Sequence, residues 1–224
     1  MTMKKAKYIV IEGSEGTGKG TQTKIIVDDL RSKGFKVLDT KEPGTPHCPI
    51  TLELRKFYLD AKYEKDFEKD GMYAREMISQ AIRCLHLQNV IFPGFEEYDY
   101  IIQDRGFLSG LAYGVACGVD FKFIEDLSNY GIGPTKAKTG LNVYNLYDQT
   151  IYFKGNVATG LKRAQSAKQE FETGDAMESR GTPFLEKVDT NFNAYHGKFT
   201  NVSVIDVEDK TIDQISQEIF KILL

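Results

Sequence analysis

The sequence contains little cysteine and little histidine. Of its 224 residues, three are cysteines and three are histidines. The cysteines, Cys48, Cys84 and Cys117, are far apart, odd in number and free of any Cys-x-x-Cys pairing. The histidines show no metal-ligand spacing with one another or with the cysteines. This pattern argues against a disulfide framework and against a zinc site, and it is typical of a protein from a reducing compartment.

An excess of positive charge and a long apolar run are also missing. The formal net charge is −3 and the pI is about 5.7. Such a chain has no bulk attraction to a nucleic-acid backbone, so a phosphate-bearing ligand must be held by a local pocket. No apolar run approaches the ~20 residues of a membrane span, and Met1–Lys7 contains no apolar signal core. We expect a cytoplasmic protein that binds neither nucleic acid nor membranes.

Short apolar runs alternate with helical patterns along the chain. The predicted strands are Tyr8–Ile11, Lys36–Leu38, Tyr100–Ile102, Thr150–Phe153 and Val202–Val207. A long apolar stripe from Met72 to Ile91 predicts a helix that Pro93-Gly94 ends. The alternation favours an α/β fold with a parallel sheet between helices, in which ligands bind beyond the carboxyl ends of the strands. We expect a single domain over residues 1–224, with 131–148 as an insertion or long loop.

The strongest motif is a glycine-rich loop between the first strand and the first helix. It reads Gly13-Ser14-Glu15-Gly16-Thr17-Gly18-Lys19-Gly20-Thr21. This is a G-x4-G-K phosphate loop in its required context, and all nine residues are predicted to bind ATP. Backbone N–H groups of such a loop point at an anion, and the following helix adds its positive end. Lys19 would place a compact charge on the β- and γ-phosphates during transfer.

The residue after Lys19 departs from the usual pattern. Most phosphate loops carry a serine or threonine there as a magnesium ligand, whereas this chain has Gly20. The resulting Gly-Lys-Gly-Thr-Gln is the form found in adenylate kinases. We therefore expect Mg²⁺ to be held largely through water, by Thr21 and an acidic side chain elsewhere. Mg²⁺ readily keeps several of its waters, so this arrangement suits it.

Four further segments follow in order: Glu42–Gly44 with Leu54-Arg55 and Leu59-Asp60, Asp104-Arg105 with Ser109 and Ala112-Tyr113, Gly160–Ala164, and Val204–Asp206. Together with Tyr8–Lys19, they resemble motifs of the thymidylate kinase family of P-loop nucleoside-monophosphate kinases. The resemblance extends from about residue 8 to the C-terminus. It implies a three-layer fold with a five-stranded parallel sheet, a small lid at about residues 160–182, and a homodimer.

The resemblance also implies roles for individual residues. Glu15 would accept a hydrogen bond from the 3′-hydroxyl of the acceptor sugar and help to organise magnesium. Asp104 would hold the water shell of the metal. Arg105 would clamp the acceptor phosphate, a task that suits a planar bidentate donor. The plainer alternatives are that Glu15 only adjusts the charge of the loop and that Asp104-Arg105 is a surface ion pair.

Four more residues complete the implied acceptor site. Lys41 stands where many relatives carry a basic phosphate contact, and Arg83 matches the arginine that reads the edge of the base. Tyr113 matches the tyrosine that packs against C2′ and excludes a ribose hydroxyl, and Ser109 belongs to the same signature. As alternatives, Lys41 and Arg83 are solvated surface residues and Tyr113 is ordinary core packing.

Three positions depart from the family pattern. Ser79 replaces the aromatic residue that stacks on thymine, and Met77, Tyr73 and Phe107 are the candidates to substitute for it. Gly106 replaces the third residue of the DR(Y/H) signature, and Asp175-Ala176 replaces an acidic residue and an arginine after the lid.

The phosphate loop also contains no additional cation, although catalysis in this family needs a mobile cation over the phosphoryl group. That cation is expected in the lid region. The candidates are Lys162, Arg163, Lys168 and Arg180, of which Arg163 and Lys168 are the preferred pair because they lie in the matching lid segment.

Taken together, the phosphate loop and the family resemblance imply phosphoryl transfer from ATP, with Mg²⁺, to a pyrimidine deoxynucleoside monophosphate. The expected acceptor is dTMP, or else dUMP or a 5-modified dUMP, and the divergent base pocket would suit a phage or viral enzyme acting in the host cytoplasm. Three alternatives stay open at this point: an adenylate kinase-like enzyme, a broad-specificity deoxynucleotide kinase, and a switch that binds ATP without transferring phosphate.

Overall fold

The computed structural model describes residues 6–133, 140–165 and 175–223, apart from the side chains of 163–165 and 178. Its sheet consists of β1 (Lys7–Gly13), β2 (Val37–Lys41), β3 (Tyr100–Asp104), β4 (Gln149–Lys154) and β5 (Val202–Asp206). All neighbouring strands pair in parallel, in the order β2-β3-β1-β4-β5. The predicted α/β fold with a five-stranded parallel sheet is confirmed.

Nine α-helices are assigned within the described ranges. They are α1 (Lys19–Ser32), α2 (Pro49–Leu59), α3 (Gly71–His86), α4 (Phe92–Glu97), α5 (Phe107–Ala116), α6 (Phe121–Ile132), α7 (Val157–Gln165), α8 (Thr182–Tyr195) and α9 (Ile212–Leu223). None of them has both the length and the apolar character to cross a membrane.

The helices cover both faces of the sheet. Successive residues of a strand point to opposite faces, so Ile9 and Ile11 of β1 pack with α1 and α9 in one apolar cluster. Tyr8 and Val10 face the other way, into a larger cluster built with α3, α4, α5 and α8. Every residue of β1 after Lys7 is buried, as expected for the central strand of a three-layer fold.

The long helix does not end where the sequence predicts. After α3, a π-helical turn over Leu87–Ile91 leads directly into α4, which continues to Glu97. The expectation that Pro93-Gly94 ends the helix is therefore wrong. Pro93 lies in the first turn of α4, where a proline lacks only an N–H that has no partner within the helix.

The segment 131–148 contributes to the core in its described later part, residues 140–148. Val143, Leu146 and Tyr147 are all buried and belong to the larger apolar cluster. Tyr147 packs against the ring of Tyr8 with centroids 4.9 Å apart. The segment expected as an insertion or long loop is irregular over residues 140–148, and it packs into the core beside β1.

Candidate active site

The strand register brings the predicted charged residues to one edge of the sheet. Asp104 pairs with Ile11 on one side and with Lys41 on the other, so the ends of β2, β3 and β1 lie at one level. The glycine-rich loop follows β1 directly at this edge. A parallel sheet places its ligand sites beyond the carboxyl ends of its strands, and this is where the loop, Asp104 and Lys41 meet.

The glycine-rich loop curls back on itself. Gly13, Gly16 and Gly18 have φ angles of 147°, 68° and 87°, values that side chains disfavour and glycine adopts readily. Lys19 Nζ donates to the carbonyl of Ser14 at 2.7 Å, and Thr17 Oγ1 donates to the same carbonyl at 2.9 Å. The loop therefore has the shape of an anion cradle, with its lysine side chain lying across it.

The groups around Lys19 shift the pKa of its ammonium group. Its side chain is buried, and burial, together with repulsion from Arg105, lowers its pKa to about 8. Glu15 and Asp104 partly oppose this shift. Thr21, predicted as a water-mediated magnesium contact, lies exposed in the first turn of α1.

Arg105 links the loop to the acceptor side of the site. It adopts the left-handed conformation, with φ of 63°, which a non-glycine residue adopts only when its surroundings enforce it. Two hydrogen bonds to its backbone do so: Arg105 N donates to Ile11 O at 2.9 Å, and the side-chain Nε2 of Gln103 donates to Arg105 O at 2.7 Å. The side chain then donates from Nη1 to the carbonyl of Gly13 at 2.9 Å.

Glu15 is the ionic partner of that arginine. Its Oε1 accepts from Arg105 Nη2 at 2.5 Å and from the hydroxyl of Tyr113 at 3.2 Å. Burial alone would raise the pKa of Glu15, but the charges of Arg105 and Lys19 outweigh it and hold the pKa at about 2. The Arg105 guanidinium also lies 5.5 Å from the centre of the Tyr113 ring. Glu15, Arg105 and Tyr113 thus form one connected unit.

A carboxyl group that the sequence reasoning missed supports this unit from beneath. Glu12 is completely buried, and its Oε1 accepts from the backbone N–H of Gly106 at 2.9 Å. Its Oε2 accepts from the hydroxyl of Ser109, and that hydroxyl in turn accepts from Arg105 Nη1 at 3.2 Å. Ser109 therefore connects Glu12 to Arg105. The available signal was an acidic residue at the end of an otherwise apolar strand.

The titration of Glu12 leads to a testable prediction about stability. Burial raises its pKa from 4.5 to about 7, so the folded protein binds this proton more tightly than the unfolded chain. The contribution of Glu12 to stability is then greatest below pH 4.5 and is lost as the pH rises through about 7. Relative to Glu12→Gln, we expect the wild type to lose up to about 3 kcal/mol of unfolding free energy between pH 4.5 and 7.5.

Urea unfolding of both proteins across this pH range measures the difference. Glu76 provides a matched control, because burial also raises its pKa to about 7 but it lies on α3 and has no contact with Glu12. Glu76→Gln should flatten the profile independently, and the double variant should add the two effects. A constant difference between wild type and Glu12→Gln at every pH would show that Glu12 does not titrate in this way.

Arg83 is buried rather than solvated. Its Nε pairs with Glu42 Oε2 at 3.0 Å, and its Nη1 donates to Gln80 Oε1 at 3.1 Å. His86 Nδ1 lies 3.1 Å from the other oxygen of Glu42. Burial alone would raise the pKa of Glu42, but the opposing effect of Arg83 and His86 is larger, so the net shift is downward. The alternative of a solvated Arg83 is excluded, and Glu42, Gln80 and His86 are network members that the sequence reasoning missed.

One cavity of about 260 Å³ joins these groups. Among the predicted acceptor residues, its walls include Glu15, Lys41, Arg83, Arg105, Ser109 and Tyr113. Asp104 also lines it, and Lys41 lies exposed at the end of β2. Arg55, Tyr58, Asp175 and Met177 line it as well, without having been predicted. The structure thus gathers all six predicted acceptor residues around one pocket next to the phosphate loop.

Comparison with known proteins now identifies the family. The family model described as thymidylate kinase matches residues 11–219. The chain belongs to the thymidylate kinase family. It is 27% identical over 211 residues to the thymidylate kinase of Finegoldia magna, with 94% of each chain covered. It is 29% identical over 230 residues to that of Prochlorococcus marinus strain NATL2A, with 98% of each covered.

A third relative matches a shorter stretch. The chain is 33% identical over 129 residues to the probable thymidylate kinase of Thermococcus kodakarensis, which covers 57% of this chain and 62% of the relative. As a member of the thymidylate kinase family, the chain is a nucleoside-monophosphate kinase, an ATP-dependent phosphotransferase. The adenylate kinase-like and non-catalytic alternatives are not favoured.

One departure from the thymidylate kinase signature now has a physical explanation. A Cβ added to Gly106 would lie 2.5 Å from the hydroxyl oxygen of Tyr147 and 3.0 Å from Val10 Cγ2. Tyr147 uses that hydroxyl to accept a hydrogen bond from the backbone of Phe107 at 3.0 Å. A side chain at position 106 has no room, because an aromatic residue from a different part of the chain occupies the space.

The predicted lid cations are only partly within the described residues. Arg163 belongs to α7, but its side chain, like the whole of Lys168, lies outside the described residues. The helix itself packs on the phosphate loop, since a Cβ added to Gly16 would collide with the backbone of Gly160. Arg180 is engaged elsewhere: it pairs with Glu64 and lies 5.0 Å from the Phe184 ring centre.

Proposed function

We propose that this enzyme transfers the γ-phosphoryl group of ATP to dTMP, forming dTDP and ADP for deoxynucleotide synthesis. The decisive observation is the position of Arg105, which is hydrogen-bonded to the phosphate-loop residues Gly13 and Glu15 and also lines the adjacent cavity. A guanidinium at that junction can hold an acceptor phosphate against the donor. The relatives from F. magna and P. marinus carry the name thymidylate kinase, which supports dTMP as the acceptor.

In this proposal, the acceptor phosphate lies near Arg105 and Lys41. One of its oxygens attacks the γ-phosphorus, and the bond from that phosphorus to the β–γ bridging oxygen breaks, so that ADP leaves. Catalysis by such a site is mostly positioning and charge neutralisation. Lys19 neutralises charge on the β- and γ-phosphates. Arg163 or Lys168 of the lid supplies a further cation.

The positions of the acceptor sugar and base follow from this position of the acceptor phosphate. Glu15 accepts from the 3′-hydroxyl, and the Tyr113 ring, held by Arg105 and by packing against Phe184 at 6.2 Å between ring centroids, occupies the space that a ribose 2′-hydroxyl needs. Arg83 faces the base from the cavity wall, with its position set by Glu42 and Gln80. We further propose that the enzyme is a homodimer, as the family resemblance implies.

Magnesium fits the residues present. Oδ1 of Asp104 is buried and has no hydrogen-bond partner in the described structure, and a Cβ added to Gly20 would lie 3.7 Å from its Oδ2. No cluster of three or more His, Cys, Asp or Glu side chains within the described ranges could hold a metal, which suits an ion that keeps its waters and binds through ATP phosphates. Asp104 and Thr21 would orient that water shell. Bound there, Mg²⁺ would neutralise phosphate charge.

The proposal is tested by measuring ADP production from ATP-Mg with dTMP, dUMP, 5-hydroxymethyl-dUMP, dCMP, dGMP, dAMP, AMP and UMP as acceptors. We expect dTMP to give the highest kcat/KM and UMP to fall at least about 10²-fold below dUMP, because of Tyr113. AMP as the best acceptor would instead indicate an adenylate kinase-like enzyme. Comparable rates with every deoxynucleotide would indicate broad specificity, and no turnover despite ATP binding would indicate a switch.

A further inference from the structure

The cavity wall made by α2 and α3 differs from what the sequence suggested. It is formed by Tyr58 and Leu59 at the end of α2, Ser79 and Ile82 on α3, and Met177. Arg83, which faces the base in the proposed function, follows Ser79 by one helical turn. The acceptor base therefore belongs at this wall, where α3 offers a small hydroxyl side chain and α2 offers an aromatic ring.

The three residues predicted to replace the missing aromatic do not line this cavity. Met77 is 51% exposed. Tyr73 packs edge-on against Phe123 with ring centroids 4.9 Å apart. Phe107 is fully buried beneath Arg83, whose guanidinium lies 5.7 Å from its ring centre. None of these three side chains is placed to meet a base in the pocket.

Tyr58, in contrast, lines the cavity and is held firmly. Its carbonyl accepts from Arg75 Nε at 3.1 Å and from Arg75 Nη2 at 3.0 Å. The same guanidinium lies 5.6 Å from the centre of the Tyr58 ring and pairs through Nη1 with Glu64 at 2.7 Å. Because Arg75 is itself only 2% exposed, this anchor excludes water and fixes the end of α2 against α3.

The side chain of Ser79 lies close enough to the Tyr58 hydroxyl to lower the pKa of that hydroxyl, although burial dominates and raises it. Both residues are buried, with 9% and 6% exposure, so the pair forms one continuous surface between α2 and α3. A small residue here faces an aromatic ring from another element. In the same way, Tyr147 occupies the space that a side chain at Gly106 would need.

We infer that Tyr58 supplies the ring against which the acceptor base packs. This inference rests on the proposed function, since it assumes a nucleotide acceptor in this cavity. Stacking of a base on an aromatic side chain strengthens binding, so losing the ring weakens it. Ser79 on α3 stands where the family pattern has an aromatic residue, and Tyr58 on α2 lines the same cavity wall, so a planar base still has a ring beside it.

A cycle of substitutions tests this inference. Tyr58→Leu keeps apolar volume but removes the ring, and we expect the KM for dTMP to rise about 10-fold while the KM for ATP stays within about 2-fold. Ser79→Phe alone crowds Tyr58 and should also raise the KM for dTMP. Tyr58→Leu combined with Ser79→Phe places the ring on α3 and should return the KM for dTMP to within about 3-fold of wild type.

Tyr73→Leu is the matched control, because it removes a tyrosine ring from the same region that does not line the cavity. Its KM for dTMP should be unchanged. Melting temperatures of all variants show whether each is folded before kinetics are compared. The inference is overturned if folded Tyr58→Leu keeps the wild-type KM for dTMP, or if Tyr73→Leu raises it instead. Should Tyr58→Leu fail to fold, the comparison of Ser79→Phe with the double variant decides.

The wild-type measurement separates this inference from the proposed function. Turnover of dTMP by the wild type, with no effect of Tyr58→Leu and no recovery in the double variant, leaves the function intact and removes the inference. Absence of dTMP turnover by the wild type refutes the proposed function and the inference with it.

Discussion

Lys19→Ala lowers kcat by about 10²–10³-fold, the usual effect of removing one group that stabilises charge in a transition state, and changes the KM for the acceptor by less than about 3-fold. The reason is the location of Lys19, which lies across the phosphate loop with its Nζ 2.7 Å from the Ser14 carbonyl. In the proposed function, it contacts the donor rather than the acceptor. Initial rates with dTMP and ATP varied in turn measure both parameters.

Lys24→Ala is the matched control for this substitution, since Lys24 is an exposed lysine on the same helix. It should leave both parameters unchanged. The pH dependence adds a second measurement, because the pKa of Lys19 is about 8 and only the protonated form attracts phosphate. The kcat/KM for ATP should therefore fall as the pH rises through 8 in the wild type but not in Lys19→Ala. Equal losses in turnover and acceptor binding would contradict the phosphate role.

Arg105→Lys lowers the kcat/KM for dTMP by about 10²-fold, although the charge is conserved. The guanidinium of Arg105 is bonded at once to Glu15, Gly13 and Ser109, and a lysine ammonium cannot reproduce this planar geometry. A hydrogen bond to a charged group contributes ~1.5–3 kcal/mol, which corresponds to the expected loss. The acceptor KM should rise more than the KM for ATP.

Arg31→Lys is the control for Arg105→Lys, because Arg31 is an exposed arginine on α1 that donates to Val37 O at 3.1 Å. Its kinetic parameters should match the wild type. Isothermal titration with dTMP in the absence of ATP isolates the acceptor interaction. Unchanged affinity for dTMP in folded Arg105→Lys would show that Arg105 organises the loop without holding the acceptor.

The glycine-rich loop and the order of the elements could be predicted from local sequence. A loop whose φ angles require glycine and a strand buried on both faces leave direct signals, because the backbone conformation and the apolar run are encoded within a few residues. The capping box at Thr211 and Gln214 is another local signal, and both of its hydrogen bonds are present. Glu15, Asp104 and Arg105, to which the family resemblance assigned roles, all line the pocket.

Contacts between distant segments could not be predicted in the same way. Glu12 and Ser109 are 97 positions apart, and Glu42 and Arg83 are 41 apart. The helix end was also mispredicted at Pro93, because proline is compatible with the first turn of a new helix. Which distant residues become hydrogen-bond partners depends on how the strands and helices pack. The spacing of residues along the sequence does not predict this packing.

The sequence by itself determined that this chain folds as an α/β phosphate-loop protein, and its motif order resembles that of thymidylate kinases. The tertiary structure alone decided that Arg83 is buried in an ionic network, that Glu12 supports Arg105 through Ser109, and that Tyr58 lines the pocket. The physical reason is that glycine conformations and apolar periodicity are local properties, whereas the room for an aromatic ring depends on what the opposite element leaves free. Ser79 shows this most clearly, since the presence of an aromatic ring beside it in the cavity depends on Tyr58, a residue of another helix.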